Sequence, residues 1–526
     1  MGVQAGTEAF PRTARAMTLG AVLSRTTATY PDRVAYRCGA EQRTYAELDA
    51  RVDRLAAALR SRGVGPGDRV AVLMKNRLEV VETYWAGCRL GAIVVPLNFR
   101  LVPEEVAYVL TDCGPTATVV DADLAPVLQV VRSAQPGLGG AVLALGGSAH
   151  VPDADDYEAA LAAGAGPVAV DVDENDPAFL MYTSGTTGRP KGAVLSHLNL
   201  MMNAFNMLVA QRVGAGEDHV WLSGLPLFHI AGLSGVLPYL VLGGTSVIVP
   251  SGDFSAADTL DLLAAERVTA CFFVPTQWQA LCAEQSGAPR ELSLRIISWG
   301  ASPAPPSVLQ AMAEVFPDAA NYNAFGQTEM SPVTCLLMGE DALRKMGSVG
   351  RPVVDVEARI VDDAMNDVPV GQVGEIVYRG PTTFLGYWNR PDANQEAFEG
   401  GWFHSGDLCR MDEEGFIYVV DRKKDMIISG GENIYCSEVE VVIDRHPKVS
   451  QVAVVGLPHE KWVETPAAFV VAADPADPPS EAEVLAFCRE HLASYKKPTV
   501  VRVVDELPRN ASGKVRKTVL RDLLKP

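Results

Sequence analysis

From Thr44 to Leu73 the chain reads TYAELDARVDRLAAALRSRGVGPGDRVAVL. Apolar residues recur at helical spacing from Tyr45 to Leu59, Gly63-Val64-Gly65-Pro66-Gly67-Asp68 is a turn, and Arg69-Val70-Ala71-Val72-Leu73 is a strand. Helix, turn and strand in succession predict a largely parallel α/β architecture. The glycines at 63, 65 and 67 follow a helix and precede a strand, the reverse of a dinucleotide-binding loop, so they read as a turn. The alternation continues with a helix around Pro103 to Leu110 and strands at Thr118-Val119-Val120 and Ala141 to Leu145. Gly146 to Asp176, rich in Ala, Gly, Pro and Asp, is expected to be a surface connection within one large domain. Val353 to Tyr418 is strand-dense with Gly-Asp turns, which predicts a β-rich subdomain closing the large one. After Asp421 a short α/β pattern of its own predicts a second domain, giving an N-terminal domain of 1–421 and a C-terminal domain of 422–526.

The 526 residues carry a formal charge of −19, with a composition close to the globular average, which excludes a collagen-like, disordered or disulfide-scaffold chain. The acidic balance also argues against nucleic acid as the main partner, because phosphate binding rests on excess Lys and Arg. The basic residues are lopsided, 33 Arg against 12 Lys, so each lysine is worth locating. Nine cysteines, an odd number with no C-x-x-C pair, predict reduced thiols and a cytoplasmic protein. Met1-Gly2 with Gly6 predicts neither a myristoylation nor a secretion signal. Ile230 to Pro250 is free of charge over 21 residues, yet Pro238 and Gly243-Gly244 divide it, so a buried helix-turn-strand is expected and no transmembrane segment.

The chemistry begins at Met181-Tyr182-Thr183-Ser184-Gly185-Thr186-Thr187-Gly188-Arg189-Pro190-Lys191-Gly192, preceded by the strand-like Ala178-Phe179-Leu180. Glycines let backbone N–H groups crowd an anion, Thr183, Ser184, Thr186 and Thr187 add hydroxyl donors, and Lys191 supplies charge. This is a cradle for a triphosphate or pyrophosphate. It departs from the Walker A loop, since Pro190 precedes Lys191 and Gly192 replaces the magnesium-binding Ser or Thr. No pair among the eight histidines has metal-ligand spacing, so no transition-metal site is expected.

Further motifs follow in order: Pro226-Leu227-Phe228-His229, Gly300-Ala301-Ser302-Pro303, and Asn323-Ala324-Phe325-Gly326-Gln327-Thr328-Glu329. Beyond them lie Gly401 to Asp407, Asp421-Arg422-Lys423-Lys424, Ser429-Gly430-Gly431-Glu432-Asn433-Ile434-Tyr435, and Pro508 to Lys514. Over nearly its whole length the chain resembles the adenylate-forming superfamily of acyl-CoA synthetases, peptide-synthetase adenylation domains and luciferases. The resemblance implies a large N-terminal domain of packed α/β subdomains and a small mobile α+β C-terminal domain. It further implies an acyl-CoA synthetase that adenylates a carboxylic acid with ATP, releases pyrophosphate, and passes the acyl group to coenzyme A.

Both reactants of the first step are anions, so the site must neutralise charge at the point of attack and on the leaving group. By the resemblance, Lys514 bridges carboxylate and α-phosphate, Glu329 with Thr186 holds Mg²⁺, and the 183–187 loop with Lys191 takes the β- and γ-phosphates. Gly300, Ala301, Ser302, Asn323, Ala324, Phe325 and Thr328 match the adenine side, Phe325 supplying the stacking ring. Asp407 resembles the ribose-binding carboxylate, a natural acceptor for two vicinal hydroxyls, and Arg422 a second ribose contact. Lys424 matches the hinge of the C-terminal domain, and Gly430-Gly431 the pantetheine tunnel. His229 is similar to the histidine where acyl, nucleotide and thiol channels meet.

The expected acyl pocket comprises His229, Ala231, Gly232, Trp278, Trp299, Gly300, Gly326 and Met330, with Ala231 and Gly232 leaving space. Its apolar character disfavours diacids and amino acids, since a buried charge needs a partner, and suits a medium or long aliphatic tail or an aryl ring. Ser405 stands where the family usually has Thr, Phe325 where Tyr is commoner, and Cys436 where the CoA ligases have Pro. The last puts the acceptor in question, leaving delivery to a carrier-protein phosphopantetheine or another nucleophile as the alternative. A homodimer also stays open. A non-catalytic binding protein is the third reading, disfavoured by the intact Lys514, Glu329 and phosphate loop.

Overall fold

The helix anticipated after Thr44 runs Tyr45–Arg60 in the computed structural model, closed by a reciprocal cap between Thr44 and Glu47. The structure describes residues 17–146, 151, 153–183, 189–216, 218–429, 432–509 and 514–524. Leu48, Val52, Leu55, Ala56 and Leu59 form the buried stripe of that helix, and Gly63 and Gly67 take the left-handed conformation in the turn that follows. The next strand, Arg69–Leu73, is flanked by parallel neighbours Ile93–Pro96 and Ala117–Val120. Its unbroken Val-Ala-Val-Leu run suits a strand covered on both faces.

By their contacts the residues group into two compact units, Met1–Glu357 with Arg379–Glu396, and Ala358–Tyr378 with Ala397–Pro526. The first contains two mainly parallel sheets. One has eight strands in the order Gly386–Tyr387, Lys191–Ser196, Pro177–Thr183, Ile93–Pro96, Arg69–Leu73, Ala117–Val120, Ala141–Ala144, Asp155–Asp156. The other has nine, centred on Val220–Ser223, Ala270–Phe272, Ile296–Gly300 and Ala320–Gly326, with Val34–Cys38 crossing over to pair beside Thr245–Ile248. The charge-free stretch is the expected buried helix-turn-strand: Ile230–Leu242 with Pro238 inside it, Gly243 as left-handed cap, then Thr245–Ile248. Among the described residues no helix is long and apolar enough to cross a membrane.

One expectation needs correction. The stretch 146–176 is more than a surface connection: Asp156 caps a helix, Tyr157–Ala163, through Ala159 N at 2.8 Å. Tyr157, Ala160 and Leu161 are buried at helical spacing, and the Tyr157 hydroxyl donates to Glu82 at 2.9 Å. The β-rich segment is present as expected. The strands Glu357–Val361, Gly374–Arg379, Phe403–Met411 and Ile417–Arg422 form a four-stranded sheet whose contacts group with the C-terminal residues. The strand Ile417–Arg422 pairs with Phe403–Met411 and packs against the helix Cys436–Asp444. The remaining sheet is built around the long hairpin Val449–His459 and Val463–Ala472.

All nine cysteines are free; Cys38 is half-buried and the others are buried. His197 opens the helix His197–Ala210 with no exposed surface, and its Nδ1 accepts from Leu19 N at 3.3 Å. Burial pushes its pKa down to about 4. The unfolded chain, titrating near 6.5, therefore binds a proton that the folded chain refuses, and stability present above pH 6.5 is lost as pH falls toward 4. The full loss is about 3 kcal/mol. His197→Asn keeps an acceptor for Leu19 N without titrating, and denaturant unfolding at pH 7 and pH 4.5 is expected to show a smaller acid loss in the variant.

Candidate active site

The phosphate-loop sequence joins antiparallel strands. Thr183 pairs with Lys191 and Tyr182 with Gly192, so the two legs of the loop leave the sheet side by side. Ser184, Gly185, Thr186 and Thr187 lie outside the described residues. Both legs are braced. The Tyr182 hydroxyl donates to Asp112 at 2.7 Å, Arg390 pairs with Asp112 at 2.6 Å, and the Tyr108 hydroxyl donates to the Pro190 carbonyl at 2.9 Å. The Lys191 ammonium lies 5.0 Å from the centroid of the Tyr387 ring, a cation–π placement.

Glu329 sits in the short turn Thr328–Met330 that leaves the strand Ala320–Gly326. It is buried, and its Oε1 accepts from the Tyr387 hydroxyl at 2.8 Å. Tyr387 thus brings together two residues that the sequence separates by 138 positions (329 − 191), and sequence reasoning passed over it. The available signal was Gly386-Tyr387-Trp388, an aromatic pair after a glycine, which pairs as an edge strand with Ala193 and Val194.

The strands Ile296–Gly300 and Ala320–Gly326 run parallel, with Gly300 opposite Ala324, so the two expected adenine segments are neighbours. A Cβ on Gly300 would stand 2.2 Å from the Ala324 carbonyl oxygen. Gly326 is equally constrained, 1.8 Å from the Pro332 carbonyl oxygen by the same measure. Ala301 turns out of the strand at φ 67°, and Ala301 and Ser302 are exposed. Asn323 is buried and its amide donates to the Ser348 carbonyl at 3.2 Å, which gives it a structural bond. Phe325 is half-buried near the strand end.

Side-chain alternation corrects the expected acyl pocket. Ile297 and Trp299 face a core shared with Trp278, while Ser298 and Gly300 face the other way. Trp278 has no exposed surface, packs edge-on to Phe273 and Phe316, and donates from Nε1 to the Ser298 carbonyl at 3.0 Å. Trp299 donates to Asn321 at 3.0 Å. Both tryptophans are therefore core residues behind the sheet. The residue missed is Phe272, which pairs with Ser298 and brings its ring within 3.4 Å of the Gly300 Cβ position. Gly232 leaves no space either: a Cβ there would meet the Pro226 carbonyl oxygen at 2.2 Å. Ala231 is half-buried, and Met330 is wholly buried.

His229 immediately precedes the helix Ile230–Leu242, its ring 5.1 Å from that of Phe228. Its loop is held by Asn76, whose amide donates to the Leu225 and Val249 carbonyls at 3.3 and 3.1 Å and whose Oδ1 accepts from Leu227 N at 2.9 Å. The Tyr84 hydroxyl adds a bond to the Leu227 carbonyl at 3.1 Å.

In the second unit Asp407 and Arg422 pair across adjacent strands, Oδ1 to Nε at 2.7 Å, with Asp407 buried. The Ser405 hydroxyl accepts from Asp407 N at 3.0 Å and donates to the Ile376 carbonyl, a job for which serine suffices. Cys436 lies in the core beneath the helix Cys436–Asp444, its thiol donating to the Asp425 carbonyl at 3.0 Å and pushed up to about 12 by burial. Lys424 and Lys514 are exposed, and Gly430 and Gly431 lie outside the described residues.

The family described as AMP-binding enzyme matches residues 23–388, and its C-terminal domain matches residues 438–514. The chain belongs to the AMP-binding enzymes. This AMP-binding enzyme is 40% identical over 497 residues to a feruloyl-CoA synthase of an Amycolatopsis species, covering 93% of this chain and 96% of that protein. It is 37% identical over 482 residues to the long-chain-fatty-acid–CoA ligase FadD13 of Mycobacterium tuberculosis, covering 91% and 92%. Among solved structures, the o-succinylbenzoate coenzyme A synthetase of Bacillus subtilis in complex with ATP and magnesium ion superposes with a TM-score of 0.84. That pair is 33% identical and covers 95% of this chain and 99% of the other. Its relatives place the AMP-binding enzyme among acyl- and aryl-CoA ligases, as the motif order implied.

The Gly300-Ala301 corner yields opposite expectations for neighbouring residues. Gly300→Ala forces the two strands apart and is expected to destabilise by about 2 kcal/mol. Ala301→Gly removes left-handed strain and is expected to be neutral or to stabilise by up to about 1 kcal/mol. Thermal unfolding of the two single variants reads both signs.

Proposed function

We propose that the chain is an ATP-dependent acid–thiol ligase that converts a carboxylic acid to its acyl-adenylate and then to a coenzyme A thioester. The observation that carries the reading is the convergence of Lys191 and Glu329 on Tyr387, one cation and one carboxylate at the foot of the phosphate loop. Such a pair suits a magnesium triphosphate: the lysine neutralises phosphate oxygens, and the second Glu329 oxygen is a hard ligand for Mg²⁺. A magnesium ion held there would take its remaining ligands from phosphate and water. Bound there, Mg²⁺ would supply charge neutralisation on the departing pyrophosphate.

In the first step a carboxylate oxygen attacks the α-phosphorus and the bond to the β-phosphate oxygen breaks. Lys514 would stabilise the charge gathering between carboxylate and α-phosphate, and Asp407 with Arg422 would take the ribose hydroxyls. In the second, the thiol sulfur attacks the acyl carbon and AMP leaves, with Gly430-Gly431 giving the pantetheine chain room and Lys424 acting as hinge. Cys436 packs inside a core and so offers no reason against free CoA as acceptor. The free thiols fit a reducing, cytoplasmic setting. For the acid, the ring of Phe272 on the Gly300 face and the feruloyl-CoA synthase relative favour an aryl or aliphatic monoacid.

Two assays test the reading. Carboxylate-dependent exchange of pyrophosphate into ATP, over aliphatic chain lengths and aryl acids, is expected for at least one class, and Lys514→Ala is expected to reduce it about 10²–10³-fold with unchanged thermal stability. No exchange with any acid would sink the proposal. AMP release with free CoA, holo carrier protein or neither acceptor then separates CoA ligation from carrier loading. Over the same panel Phe272→Ala is expected to reorder the acids, whereas Trp278→Phe lowers stability by about 1 kcal/mol through its lost hydrogen bond and leaves the order unchanged.

A further inference from the structure

The placement of Tyr387 is over-determined. Its backbone N–H donates to Asn394 Oδ1 at 2.6 Å, and its carbonyl accepts from Asn394 Nδ2 at 3.0 Å. On either side, Leu385 N and Trp388 N donate to the Val194 and Gly192 carbonyls, each at 2.8 Å, fixing the segment against the strand that begins at Lys191. Phe384 packs edge-on to the Tyr387 ring at 4.9 Å and donates its N–H to the Glu329 carbonyl at 2.8 Å. Glu329 is thus gripped twice by one short segment, at its backbone and at its carboxylate.

A buried carboxylate that accepts one hydroxyl bond is oriented about its terminal torsion, and its second oxygen is presented in a fixed direction. Lys191 and Glu329 make no ion pair with each other: the ammonium lies over the ring face and the carboxylate takes the ring's hydroxyl. The tyrosine therefore holds two opposite charges near one another without letting either neutralise the other, which leaves each available to a ligand that carries both a cation and phosphates.

We infer that Tyr387 is a positioning residue for the metal–triphosphate complex, acting through Glu329 by its hydroxyl and on Lys191 by its ring. The inference rests on the reading of Glu329 as the carboxylate that receives Mg²⁺. Partners that orient a metal-binding carboxylate characteristically change metal affinity about 10–100-fold when removed.

Tyr387→Phe keeps the ring and deletes the hydroxyl, so it isolates the contact to Glu329. The full chain is titrated with α,β-methylene-ATP, which cannot release pyrophosphate, at graded Mg²⁺ concentrations, and analogue binding is read at equilibrium. Tyr387→Phe is expected to raise the Mg²⁺ concentration for half-maximal binding about tenfold, with thermal stability lowered by no more than one lost hydrogen bond costs and the KM for the acid unchanged. Glu329→Gln is expected to shift it at least as far, and the double variant no further than Glu329→Gln alone. An unshifted Tyr387→Phe beside a shifted Glu329→Gln overturns the inference while leaving the reading of Glu329 intact. Multiplying effects in the double variant, or a fall in stability with a parallel rise in the acid KM, overturn it likewise and leave Tyr387 a packing residue. An unshifted Glu329→Gln removes the reading of Glu329 and the inference with it.

Discussion

Five residues, Phe384 to Trp388, connect the two sheets of the large unit at the point where the chemistry is concentrated. One side of the segment pairs with Lys191–Ser196 at the edge of the eight-stranded sheet. The other grips Glu329, which hangs from the nine-stranded sheet on the turn after Ala320–Gly326. Neither sheet alone carries both a phosphate-loop lysine and the acidic turn. About four hydrogen bonds, each worth roughly 0.5–1.5 kcal/mol, tie the lysine strand and the acidic turn to this small stretch of chain, which contains no charged residue. Asn76 makes a second join of the same kind, reaching from the end of Arg69–Leu73 to three backbone groups around the loop that holds His229.

A net charge of −19 is an unpromising background for attracting ATP and CoA, so the attraction has to be local. Arginine is abundant but occupied: Arg390 holds Asp112, Arg422 holds Asp407, and Arg51 and Arg89 bind carboxylates between helices. Planar guanidinium forks suit these fixed bidentate roles, while a compact ammonium on a flexible stem can follow a phosphate as it moves. Lys191, Lys424 and Lys514 stand apart from this arginine framework in the sequence motifs that carry the chemistry.

Most of the architecture was legible because period and punctuation agreed. The helix Tyr45–Arg60 announced itself by an apolar stripe and the glycines beyond its end, and Ile230–Leu242 was delimited by Gly243-Gly244. The helix Tyr157–Ala163 was lost because two turns in an Ala- and Gly-rich stretch give little periodicity, and what stabilises it is Tyr157 reaching Glu82. At the site, motif residues were identified by chemistry and matching, but their directions were not. Trp299 beside Gly300 suggested a pocket wall, whereas adjacent strand residues necessarily point to opposite faces. Phe272 and Tyr387 escaped notice for the complementary reason: an aromatic residue in a strand is ordinary sequence until pairing shows which charges it stands beside.

The buried cysteines acquire a meaning in this setting. Burial raises the thiol pKa of Cys38, Cys282 and Cys488 to about 11 and of Cys113 and Cys436 to about 12, with Cys88 and Cys271 higher still. At neutral pH a thiol of pKa 11 is a thiolate only about once in 10⁴ molecules, against a few per cent for an ordinary exposed one. A protein that makes a mixed anhydride for sulfur to attack would otherwise be its own competing substrate. Burial of these seven thiols disfavours the thiolate and so lowers their reactivity toward an activated acyl group.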